Sequence, residues 1–262
     1  MIYFALSDFY NNLHLYNALE AFKRDNQDKM RFKFSISFIR GNFPFSFWNG
    51  DKNTNIDKTI LTYDDVINFM AKNMIPFCID ISNLALTKED ILYDNHLKMI
   101  LTLLANQGHY IRLSNPEFID LIKTNYTGYF YILSEYTSPY INYNDLGFTY
   151  IEQPFQLNVL QNQNSDKHII VTLRHPCAHC SYEQYLQCIN KEQEYQINFS
   201  DKSILSNCNR LDYSTDINLE FDLQRKLGYN HFYIEETNRD FIVEFFIKPE
   251  YIKDFYSFYR SF

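Results

Sequence analysis

Eight short apolar runs, separated by stretches of helical periodicity, constrain this chain more than any other feature. They are Ile2 to Ala5, Phe34 to Ile39, Phe77 to Ile81, Tyr110 to Leu113, Tyr129 to Leu133, Phe148 to Ile151, Ile169 to Leu173 and Phe232 to Ile234. Short apolar runs of this kind, alternating with helical patterns, read as strand candidates. Between them, apolar residues recur at helical spacing. Leu15, Ala18, Leu19 and Phe22 form one such set, and Val66, Phe69 and Met70 behind a Thr62 cap form a second. Thr87 with Asp90 opens a third, with Leu97, Ile100, Leu101 and Leu104 on its inner face and Gly108 at its end. Phe118, Leu121 and Ile122 follow Ser114-Asn115-Pro116. Leu219, Leu223 and Leu227 mark another helix, and Tyr251, Phe255, Phe258, Tyr259 and Phe262 a terminal one. Eight strands alternating with helices over about 250 residues is the count of a (β/α)8 barrel. The expected fold is therefore α/β, a single (β/α)8 TIM-barrel-like domain over residues 1–262. A doubly wound sheet would alternate similarly, but no Gly-rich phosphate fingerprint follows the first run.

In such a barrel the C-terminal strand ends converge on one rim, where active sites form. Here those ends are polar: Ser7-Asp8, Arg40, Ser82-Asn83, Ser114-Asn115, Ser134-Glu135, Glu152-Gln153, Arg174-His175 and Glu235-Glu236. Ser114-Asn115 reads as a helix cap. Glu235 and Glu135 are the candidate catalytic residues, Glu235 as a base or substrate anchor, against the plainer reading of a solvated charge in a turn. Glu152, His175 and His179 share the same expected rim.

Four of the five cysteines fall in one window: Cys177, Cys180, Cys188 and Cys208, spaced C-x2-C-x7-C-x19-C. A C-x2-C turn can bring two thiolates onto one metal. Tyr182, Tyr185, Leu186 and Ile189 follow at helical spacing, so Cys188 is expected on a helix about 12 Å along the axis from Cys180. Cys177, Cys180 and Cys208 are the stronger ligands, Cys188 the weaker, and His175 can replace a thiol. Competing readings are buried small hydrophobes, disulfides or chance. Cys78, in PFCIDI, reads as a core residue.

A net charge of −8 argues against a nucleic-acid backbone as the main partner. With 46% hydrophobic residues, 22 Tyr and 24 Phe, the chain has the material for a packed core. The start, MIYFALSDFYNN, lacks the basic segment and long apolar run of a signal peptide, and no run reaches the roughly 20 apolar residues of a membrane span. The expectation is a soluble, cytoplasmic protein. GxSxG, HExxH, Walker and C-x3-C-x2-C signatures are absent from the sequence.

Several stretches together resemble one family: SFWNGDKN, IDISNLAL, HYIRLSNPEFIDLIKTNY, the His-Pro-Cys-x-x-Cys loop, and LGYNHFYIEE followed by IKPEY. They are similar to relatives of the collagenase-like peptidase family. The resemblance implies a TIM-like barrel, and in several members an iron–sulfur cluster supporting oxygen-independent hydroxylation of RNA bases or quinone precursors. It carries onto His175-Pro176-Cys177 and Cys208-x-Arg210, while Tyr233-Ile234-Glu235-Glu236-Thr237 stands where the family has Lys-Ile-x-Gly-Arg. The reading is thus an iron–sulfur redox or hydroxylase-type enzyme. Its substrate is an unidentified small or nucleic-acid-borne molecule, served by an electron donor or partner protein. The alternative is a non-catalytic barrel with a structural zinc site, acting as a binding or scaffold protein.

Overall fold

A computed structural model describes residues 1–7, 9–41, 75–81, 87–113, 118–133, 149–153, 168–173, 216–235 and 238–262. Eight strands lie close to the eight apolar runs: β1 (Ile2–Leu6), β2 (Phe34–Gly41), β3 (Phe77–Ile81), β4 (Tyr110–Leu113), β5 (Phe130–Leu133), β6 (Tyr150–Gln153), β7 (His168–Leu173) and β8 (His231–Ile234). All pair in parallel in sequence order, and β8 returns to pair with β1 through Tyr3–His231, Phe4–Phe232, Ala5–Tyr233 and Leu6–Ile234. The shortest seam is β5–β6, with two register pairs, Ile132–Tyr150 and Leu133–Ile151.

Seven α-helices accompany the sheet among the described residues: α1 (Phe9–Asp25), α2 (Lys88–Tyr93), α3 (Asn95–Leu104), α4 (Ile119–Asn125), α5 (Ile217–Lys226), α6 (Arg239–Phe246) and α7 (Ile252–Ser261). Their placement corrects the expectation of a regular (β/α)8 barrel. Two helices follow β3, two follow β8, and among the described residues none follows β2, β5 or β6. Among the described residues the architecture is a curled, all-parallel α/β sheet flanked by these helices. After β3 the departure has a local cause, because Asp94 ends α2 and caps α3; the helix expected behind Thr62, with Val66, Phe69 and Met70, lies outside the described residues.

Local chemistry explains the helix boundaries. Thr87 and Asp90 form the capping box foreseen for them, but the helix they open ends at Tyr93. Asp94 then caps α3 by accepting from the Leu97 amide, so one expected helix becomes two. α3 ends at Leu104, before Gly108. Asp216 and Asn238 cap α5 and α6 in the same way.

The sheet buries two different layers. Toward the helices, Phe4 packs against Phe32, Phe34, Phe221, Phe232, Phe245 and Phe246, with ring centroids 5.0–6.0 Å apart. The terminal α7 docks on α1 through Phe22, whose ring lies 5.3 Å from Phe255 and 5.4 Å from Phe258. Inside the curl sits a separate cluster of Ala5, Phe38, Cys78, Ile132, Ile170 and Tyr233.

The leucines that mark α5 in the sequence do not face the sheet. Ile217, Phe221 and Gln224 are its buried residues, while Leu219, Leu223 and Leu227 are exposed.

Candidate functional site

Strand alternation sends the next-to-last residue of every strand inward: Ala5, Arg40, Asp80, Arg112, Ile132, Glu152, Thr172 and Tyr233. Four of these are charged, and they meet. The Arg40 Nε and Nη2 donate to Asp80 Oδ2 at 3.2 and 3.1 Å, and its Nη1 reaches Glu152 Oε1 at 3.4 Å. Arg112 Nη1 donates to Asp80 Oδ1 at 2.8 Å and its Nε to Glu152 Oε2 at 2.6 Å. Each arginine thus contacts both carboxylates, and each carboxylate both arginines. The result is a closed ring of alternating charge that joins β2, β3, β4 and β6. It passes across β5, which places Ile132 at that level.

Arg40 comes to this ring by a local irregularity. In FSISFIRG a regular strand would put Phe34, Ile36, Phe38 and Arg40 on one face. The β1–β2 register shifts between Phe4–Ile36 and Ala5–Phe38, inserting Ser37, whose Oγ donates to the Phe4 carbonyl at 3.3 Å. The bulge leaves Phe34 and Ile36 in the helix-facing core and turns Phe38 and Arg40 inward.

The ring is nearly dry: Arg112 is 0% exposed, Glu152 2%, Asp80 3% and Arg40 8%. Burial alone would lower the affinity of Arg40 for its proton. Asp80, then Tyr233, Glu152 and Glu235, outweigh that and hold the guanidinium charged. The same guanidinium lies over the Tyr233 ring, 4.6 Å from its centroid. Burial pushes the Tyr233 phenol well up, with Arg40 opposing, so it stays protonated. Cys78, two residues before Asp80, has its thiol pushed up by burial and then by Asp80. It is an inert core thiol, as its sequence context suggested. Toward the N-terminal ends, Tyr3 stacks on His231 at 4.7 Å, and Tyr150 lies 5.3 Å from His231 and 5.9 Å from Tyr110. The sheet interior therefore runs from aromatic rings at the N-terminal ends to the charged ring at the C-terminal ends.

Of the residues expected from the sequence, Glu152 is central to the ring. Glu235 follows β8 directly, is exposed, and its charge reaches Arg40 and Tyr233. Glu135, His175, His179, Cys177, Cys180, Cys188 and Cys208 lie outside the described residues. Among the described residues, no group of three or more His, Cys, Asp or Glu is placed to hold a metal. Asp80 and Arg112 escaped the sequence reading. Their signal is a charge one residue before the end of an apolar strand, in FCIDI and YIRL. Chemically, the ring fixes the relative heights of four strands and gives this end of the sheet a rigid polar floor.

Among the described helices none is long and apolar enough to cross a membrane. No protein-family model matches the chain, and no curated protein matches it either.

Proposed function

We propose that the C-terminal end of the sheet is the working end of a cytoplasmic, metal-dependent redox or hydroxylase-type enzyme. The observation that carries this is the buried ring of Arg40, Asp80, Arg112 and Glu152, at the end where β7 hands the chain to the cysteine window. Leu173 closes β7 four residues before Cys177. A charge ring this dry is a rigid floor, and exposed Glu235 stands at the same end as a base or substrate anchor. The donor set of Cys177, Cys180, Cys208 and Cys188, with His175 as a replacement, has the soft-ligand chemistry of an iron–sulfur cluster. A bound cluster would supply electron transfer. The chain's own residues would position a small or nucleic-acid-borne substrate over the floor. The motif resemblance to collagenase-like peptidase relatives supports the same reading, with a partner protein or other electron donor completing it.

A second reading is favoured by the way the four charges engage one another. A ring so committed to itself suits a structural floor, and the thiols would then close a zinc site in a binding or scaffold protein. Metal analysis and a visible spectrum on protein purified without oxygen separate the two. Iron with visible absorbance is expected. Cys177→Ala, Cys180→Ala and Cys208→Ala should each strip it, and Cys188→Ala should do so less. Colourless zinc protein, equally damaged by all four substitutions, establishes the second reading, since structural zinc contributes about 10–16 kcal/mol of apparent binding energy. Protein that folds without metal sinks both.

A further inference from the structure

α5 presents an apolar stripe that is exposed among the described residues. Leu219, Leu223 and Leu227 recur every four residues and are 72%, 47% and 57% exposed. Ile217, Phe221 and Gln224 hold the opposite side of the helix against the sheet. Singly exposed leucines are ordinary, but three in line on one helix form a contiguous patch of the kind that marks contact surfaces.

The charges beside the stripe indicate what covers it. Asp222 and Lys226, both exposed, stand one turn apart along the same edge of the leucines. Asp216 caps the helix, Glu220 lies in its first turn, and Arg225 and Lys226 lie in its last turn. If a second α5 lies antiparallel on the first, same-edge residues of the two helices face each other. Asp222 of one copy then meets Lys226 of the other, twice, about a two-fold axis. Leu219, Leu223 and Leu227 pack beside these pairs against their counterparts, and the helix dipoles oppose favourably.

We propose that the exposed leucine stripe of α5 is a self-docking surface through which two copies of this chain associate as an isologous dimer. One helix pair is a small interface, so the dimer is weak and concentration-dependent. Sedimentation velocity of the full chain over a wide concentration range tests it. The wild type is expected to shift from 31.5 kDa toward twice that mass. Leu223→Glu should stay monomeric with an unchanged far-UV spectrum and melting temperature. Asp222→Lys and Lys226→Asp should each weaken association by about tenfold. The double variant should restore it, because the reversed pairs form again across the axis. Leu103→Glu, on the exposed side of α3, should leave it unchanged. A wild type that is monomeric throughout, a Leu223→Glu variant that still dimerises, or a double variant without restoration would each overturn the proposal.

Discussion

The two faces of one sheet are built on opposite principles. Toward the helices, β1, β2 and β8 meet a dense aromatic layer around Phe4, where neighbours differ in shape but not in charge. Inside the curl, two residues further along β2 and β3, the layer changes from Phe38 and Cys78 to Arg40 and Asp80. An apolar layer tolerates small losses, because each contact is weak and many remain. A buried charge ring does not, because removing one member leaves the others desolvated and short of a partner.

The largest effect should come from the inner face. Arg112→Met leaves Asp80 and Glu152 sharing one arginine, and should cost about 3–5 kcal/mol in urea denaturation. Replacing all four ring residues by apolar ones of similar volume should cost less than this single change. A quadruple variant less stable than Arg112→Met would show that the ring stabilises the fold outright. On the outer face, Ile111→Val should cost only about 0.5–1.5 kcal/mol by the same measurement. An equal loss at the two faces would erase the distinction between them.

The smallest effect is a pH dependence at the far end of β4. His109 is buried, its Nδ1 accepts from the Phe77 amide at 3.1 Å, and burial lowers its pKa. The unfolded chain then takes up this proton at higher pH than the folded one. Its contribution to stability is present above the ordinary histidine range and falls as pH drops through that range toward the folded value. His109→Asn, whose amide oxygen can accept the same hydrogen bond, should flatten the stability–pH curve there. A curve of unchanged slope would assign the dependence to other groups.

The positions of the strands were legible because parallel strands buried on both faces are nearly continuous apolar runs, and all eight appear within one or two residues of their expected bounds. The candidate site was legible only in part. Arg40 and Glu152 stood out at apparent strand ends, and the polar ends suggested a rim. Asp80 and Arg112 were hidden because each reads as one polar residue in an apolar run, and linear spacing does not show that residues 32 and 40 apart in sequence meet. The helical layer was legible from caps and periodicity at Thr87 and from periodicity alone at Leu15, Ala18, Leu19 and Phe22, whereas at Leu219, Leu223 and Leu227 periodicity marked a helix but not its buried face.

By itself, then, the sequence determined the eight strands, the α/β class, the helix start at Thr87 and the inertness of Cys78, since each rests on local pattern or composition. Tertiary structure alone decided which face each pattern serves. The strict alternation of FSISFIRG puts Arg40 with Phe34, and only the bulge at Ser37 against β1 moves it inside to Asp80 and Glu152. Likewise, α5 can bury either of two stripes, and packing against the sheet selects Ile217 and Phe221 over the leucines. In both cases the choice depends on a neighbouring element far away in sequence, so no local pattern contains it.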